Sequence, residues 1–102
     1  MDLKDAAVSE SFELRPVIGL TSGLTIKEIE ALTINAIRQH RELVDTADRL
    51  YNALSEDYKT GAATGGQRHL EYIEAMIGMH TQMCAVNTLV KVLGYIPKVS
   101  LN

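Results

Sequence analysis

The chain has no tryptophan, one phenylalanine, one cysteine and two prolines among its 102 residues. A lone cysteine, Cys84, excludes an intrachain disulfide, so stability must come from packing, and the reducing cytoplasm is the expected compartment. No apolar run approaches the roughly 18 residues of a spanning helix, and no membrane association is expected. The opening residues, MDLKDAAVSE, are acidic and carry no apolar core segment, unlike a secretory signal. A basic surplus is missing too: 10 Lys and Arg stand against 13 Asp and Glu, a net charge of −3. A protein that grips nucleic acid unaided needs a cationic face to neutralise phosphates. The tightest basic cluster, Arg38 with Arg41, is interrupted by His40 and followed by Glu42. Direct nucleic-acid binding is therefore not expected. An acidic protein suits a basic protein partner instead, where opposite charge speeds encounter.

What is present is ordinary in amount and informative in pattern. Apolar residues make up 46% and charged residues 23%, the composition of a globular domain and not of a disordered chain. The string Thr25-Ile-Lys-Glu28 fits a helix capping box. Beyond it apolar residues recur in steps of three and four: Ile26, Ile29, Ala36, Ile37, Leu43, Val44, Ala47, Leu50, Tyr51 and Leu54, with Thr33 and His40 on the same stripe. This predicts an amphipathic helix over 25–57, its other face carrying Lys27, Glu30, Gln39, Arg41, Glu42, Asp45, Asp48 and Arg49. Residues 58–66 hold Gly61, Gly65 and Gly66 and read as a connector. They follow a helix rather than a strand and lack the Lys-Ser/Thr pair of a phosphate-binding loop.

A second helix is predicted over 67–94. One stripe reads Leu70, Ile73, Met76, Ile77, His80, Met83, Cys84, Asn87 and Val90; a second face adds Tyr72, Met79, Val86, Leu89 and Leu93. Gly94 and Pro97 stop it, leaving 95–102 extended. Over residues 1–24, Pro16, Gly19 and Gly23 exclude a long helix, although a short turn of helix is expected near Ser9 or Ser11. Phe12, Leu14, Val17, Ile18, Leu20 and Leu24 are too apolar for a free tail and should pack across the helix pair or onto a partner.

Helices of about 28 residues rise about 42 Å, whereas a compact chain of this length has a radius of gyration of about 13 Å. Two such helices make a rod with one shared interface, which leaves the second apolar face of the second helix uncovered. The expected fold is all-α, with two long antiparallel helices per chain pairing into a dimeric four-helix bundle. Its seam would comprise Ile73, Met76, Ile77, His80, Met83, Cys84, Asn87 and Val90.

Chemistry-bearing residues have quieter readings beside the sharper ones. His80 and Cys84 share a helix face and His40 could oppose them, a set zinc accepts; no second Cys/His pair follows, and both also suit a bundle core. Met76, Met79 and Met83 suit a core, a seam or an adaptable interface. Asn87 could fix helix register or cap a carbonyl. Arg15, Arg38, Arg41, Arg49 and Arg68 leave open a small dimeric mutase that holds dicarboxylates between arginines. Their acidic neighbours equally explain a solvated, charge-laced face. No nucleophile–base pair or carboxylate pair stands out, so no catalytic, cofactor or metal residue is expected.

Several strings are specific. ELRPVIGLT (13–21), TINAIRQHRELV (33–44), YKTG (58–61), YIEA (72–75), MHTQM (79–83) and NTLVKVLGYIPKV (87–99) resemble the TraM family, quorum-sensing antiactivators of agrobacterial and rhizobial conjugative plasmids. The resemblance covers nearly the whole chain, departing from it at the extreme N-terminus and in ATGGQR. It implies a helical homodimer without enzymatic activity or small-molecule ligand. It also implies binding to TraR, a LuxR-type activator, through its C-terminal helix-turn-helix domain, which keeps the activator off promoter DNA. The terminal segments would then supply contact residues: Arg15, Pro16, Ile18 and Leu20 at one end, Tyr95, Ile96, Pro97 and Lys98 at the other, with Tyr72 a further candidate.

Overall fold

The computed structural model describes residues 14–100, which are helical with no strand among them. Four helices follow in order: α1, Arg15–Leu20; α2, Ile26–Asn52; α3, Glu56–Lys59; and α4, Gln67–Leu93. The turn expected near Ser9 or Ser11 and the packing of Phe12 lie outside the described residues.

Pro16 falls in the first turn of α1, where its fixed φ suits a helix and its missing N–H costs nothing. The Thr21 hydroxyl closes that helix by donating to the Val17 carbonyl at 2.9 Å. At the start of α2 both halves of the capping box form. The Glu28 N–H donates to Thr25 Oγ1 at 3.1 Å, and the Thr25 N–H donates to Glu28 Oε1 at 2.9 Å.

The helix predicted over 25–57 stops at Asn52, and α3 follows as a separate turn. Leu54 stays buried across the break, so the apolar periodicity runs through it unaltered. Ser55, in extended conformation before Glu56 and Asp57, restarts the chain as a helix N-terminus does. Gly66, at φ 88 and ψ 165, turns the chain into α4 through a region that glycine alone enters readily. Gly94, left-handed at φ 94, ends α4, and its N–H donates to the Val90 carbonyl.

α2 and α4 pack antiparallel along their length. Tyr51 meets Tyr72 near the connector, Leu43 lies across from Gly78, and Gln82 Nε2 donates to the Ala36 carbonyl at 3.0 Å. Farther along, Ala36, Val86 and Leu89 form a buried cluster against which Val17, Ile37 and Val90 pack. The face of α4 buried on α2 is thus the one carrying Val86, Leu89 and Leu93. The other stripe turns outward, leaving Leu70, Ile73, Ile77 and Met83 exposed, Ile77 at 60%. The Cα radius of gyration, 16.5 Å, exceeds the about 13 Å of a compact chain, as a hairpin of long helices requires.

α1 is fastened by Thr88. Its hydroxyl oxygen, in a residue only 1% exposed, accepts the Leu14 N–H at 2.8 Å while its proton goes to the Cys84 carbonyl. On another part of α2, the segment after Gly94 lies along the helix as a strap. The Tyr95 hydroxyl donates to Glu30, Pro97 is buried, and Arg41 donates to the Ser100 carbonyl at 3.4 Å. From Glu30 to Arg41 the helix rises about 16 Å at about 1.5 Å per residue. Extended chain from Tyr95 to Ser100 covers about the same at about 3.3 Å per residue, so the strap keeps pace with the helix beneath it.

Candidate partner interface

The residues expected to contact a partner fall in two places. Arg15, Pro16, Ile18 and Leu20 are exposed on α1, Leu20 at 79%. Tyr95, Ile96 and Lys98 are exposed on the strap, whereas Pro97 between them is buried and anchors it. Both segments lie toward the Ala36–Leu89 end of the hairpin, because α1 docks at Thr88 and the strap leaves from Gly94. Tyr72 is half-buried against Tyr51, with ring centroids 5.6 Å apart. About 30 Å of α4 separates it from Tyr95 at the head of the strap, and about 15 Å of α2 lies between Arg41, where the strap ends, and Tyr51, so one chain does not bring Tyr72 together with the terminal residues.

Seam candidates divide by exposure. Ile73, Ile77, His80 and Met83 are exposed, while Met76, Cys84, Asn87 and Val90 are half-buried. Ile73, Ile77, His80 and Met83 give α4 an exposed, mostly apolar band, whereas Met76 borders α2 in a groove with Val44 and Tyr51 and Val90 reaches inward to the core cluster.

Between α1 and α2 a cleft of about 390 Å³ is lined by Val17, Leu20, Leu24, Leu32, Asn35 and Leu89. Leu20, Leu24 and Leu32 are all exposed there, giving the α1 end an apolar surface wider than the four predicted residues. On the strap side, Glu30 holds the Tyr95 hydroxyl above its ordinary range through the hydrogen bond, with desolvation and the carboxylate's charge adding to it.

The arginines do not converge. Arg38 and Arg41 line one cleft with Glu42 and Asp45, Arg68 borders another beside the connector, and Arg15 and Arg49 are exposed elsewhere. Among the described residues no group of three or more His, Cys, Asp or Glu side chains is placed to hold a metal ion. In the glycine-rich connector, the Gly65 N–H donates to His69 Nδ1 at 2.8 Å, so that amide already has a partner.

Sequence reasoning missed how α2 extends the surface around Tyr72. Tyr51 sits on the predicted core stripe and Asp48 on the solvated face, yet both line a groove with Tyr72. The signal lay in their spacing of three, which puts them on one edge of the helix.

Comparison with known proteins follows the same outline. The family described as "Prokaryotic Transcriptional repressor TraM" matches residues 1–98. The chain is 58% identical over 102 residues to a transcriptional repressor TraM of Rhizobium radiobacter, and 54% identical over 102 residues to one of Agrobacterium fabrum. Both alignments span 100% of each chain. A crystal structure of a second quorum-sensing antiactivator, TraM2 from A. tumefaciens strain A6, superposes with a TM-score of 0.85 at 66% identity. It covers 87% of this chain and 100% of that one.

Proposed function

The chain belongs to the TraM family of transcriptional repressors, and from that membership we propose that it is a quorum-sensing antiactivator acting on a LuxR-type activator of the TraR kind. It binds the activator's C-terminal helix-turn-helix domain and keeps it from promoter DNA, restraining plasmid conjugal transfer. The observation that carries this reading is one of charge. A repressor with net charge −3 and no basic stripe is poorly equipped to hold phosphates, and well suited to a protein that does. No helix among the described residues is long and apolar enough to cross a membrane.

The working form in this reading is a homodimer. Leu70, Ile73, Ile77 and Met83 form an exposed apolar row along α4 that a second copy would cover, giving a four-helix core. That leaves the α1 and strap residues, Arg15, Pro16, Ile18, Leu20, Tyr95, Ile96 and Lys98, at the rod's ends for the activator, with Pro97 setting the strap's position and Tyr72 on the flank.

Two measurements test it. Light scattering should give twice the chain mass for the protein alone and a single larger species after addition of signal-bound activator. An electrophoretic shift assay should show the activator leaving its operator as the protein is titrated in. An activator that stays on DNA at saturating protein refutes the reading.

A further inference from the structure

The cleft between α1 and α2 is framed by leucines that stand open to water. Leu20 is 79% exposed, Leu32 42% and Leu24 37%, and all three line it. Its floor belongs to the core cluster, with Val17 of α1, Ala36 of α2 and Leu89 of α4. A side chain entering the cleft therefore meets close-packed apolar surface. Two helix walls over such a floor make a seat for a third helix, which enters with apolar side chains at steps of three and four.

The rim adds negative charge. Glu28, Leu32, Asn35 and Gln39 follow one another at steps of four, three and four, so they share one edge of α2. The Glu28 carboxylate is already held in place, because its Oε1 accepts the Thr25 N–H at 2.9 Å. A group fixed before binding loses little freedom when it pairs with a cation. Lys27 and Arg38 fall on the next edge, where Arg38 lines a different cleft with Asp45 and Ser100.

Three occupants could cover these leucines, and charge chooses among them. Residues 1–13 carry Asp2, Asp5, Glu10 and Glu13 against Lys4 alone, and would bring like charge to Glu28. A second copy meeting this cleft with its own would set one Glu28 against another. The uncharged row of Leu70, Ile73 and Ile77 on α4 suits a second copy better. A helix with an apolar face and a cationic flank meets neither obstacle, and a domain that reads DNA is built of helices rich in basic residues.

We propose that the cleft between α1 and α2 seats an amphipathic helix of the activator's helix-turn-helix domain. Its apolar side chains lie between Leu20, Leu24 and Leu32, and a lysine or arginine on its flank pairs with Glu28. The inference rests on the antiactivator reading and deepens it, giving α2 a share of the contact. The affinity comes from apolar surface taken out of water, while Glu28 sets orientation and the rate of encounter. Binding therefore depends only weakly on salt, unlike a contact made by charge alone.

The test uses the full-length protein and signal-bound activator, with affinity measured by calorimetry at low and at high salt. Leu32→Gln on α2 and Leu20→Gln on α1 replace exposed side chains and should each weaken binding about tenfold at both salt concentrations. Glu28→Gln preserves the capping box and should weaken binding about threefold at low salt, with little change at high salt. Unchanged helicity and mass show that fold and assembly are intact. Asn35→p-benzoylphenylalanine places a photoreactive ring on the rim. Irradiation of the complex should join it to the activator's helix-turn-helix domain, as mapped by mass spectrometry.

If the wild-type protein does not bind the activator, the antiactivator reading falls and this one with it. If the wild type binds and the Leu20 and Leu32 variants bind equally well, the cleft assignment alone is overturned. Photoproducts in the complex that join position 35 to residues 1–13, or to a second copy, would give the cleft to those occupants and overturn it too.

Discussion

Two buried threonines allow a sharp experiment, because they share a chemistry and differ in one connection. Thr33 on α2 is 0% exposed and Thr88 on α4 is 1% exposed, and each hydroxyl donates to the carbonyl four residues earlier in its own helix. Only the Thr88 oxygen also accepts a bond from a distant part of the chain, the Leu14 N–H at 2.8 Å. Substitution by valine keeps the branched shape and removes the hydroxyl. At Thr33 this deletes a back-bond that contributes little to a helix, so stability should change by less than about 0.5 kcal/mol. At Thr88 it strands a partly buried amide, and leaving such a donor without its acceptor costs about 1–3 kcal/mol. Release of α1 to water recovers part of that, which places Thr88→Val at about 1–2 kcal/mol. Urea unfolding followed by circular dichroism, at one fixed protein concentration, measures both variants. Hydrogen exchange at the Leu14 amide should quicken in Thr88→Val and not in Thr33→Val. Equal destabilisation of the two variants, or an unchanged Leu14 amide, would refute Thr88 as the fastening of α1.

Other expectations concern the caps and the strap. The Thr25 backbone N–H, and then its hydroxyl, hold the Glu28 carboxylate below its ordinary range. The stabilisation is present above the usual carboxylate value and is lost as the pH falls through the lowered one, so a pH series of melting curves for wild type and Glu28→Gln should converge in acid. His69→Phe keeps a ring against Tyr58 but removes the acceptor of the Gly65 N–H, and should cost about 1 kcal/mol in thermal unfolding; an unchanged melting curve would show the connector indifferent to that bond. Glu30→Gln should move the ionisation of Tyr95, followed by ultraviolet absorbance, back toward that of a free tyrosine. No movement would mean that the strap does not rest on Glu30 in solution.

Much of the fold was written in local signals. Thr25 and Glu28 announce the start of α2, and Gly94 with Pro97 announces the end of α4, because caps and stops depend on a few neighbouring residues. The two apolar faces of α4 were likewise legible from spacing. Deciding which face turns inward needed tertiary information, since the row of Leu70, Ile73 and Ile77 is as apolar as the one that is buried. The break after Asn52 was hidden because Leu54 keeps the helical period on both sides of it; Ser55 followed by two acids was the overlooked sign. At the candidate interface, the family resemblance supplied a partner, and the apolar and aromatic character of the terminal segments singled out α1 and strap residues. The burial of Pro97 and the meeting of Asp48 and Tyr51 with Tyr72 depend on how distant segments are laid together, which spacing along one helix does not encode.

The bond from Leu14 to Thr88 spans a sequence separation of 74 residues, and that distance has a meaning in time. Synthesis runs from the N-terminus, so α1 is made early and lacks its Thr88 acceptor until α4 is nearly finished. Val17 waits in the same way for Val86 and Leu89, which complete its apolar seat with Ala36. A chain cut short before residue 84 retains α2 and its cap but has no fastening for α1. The exposed face of α1 is therefore set in place only in finished molecules, and its docking reports that α4 is complete.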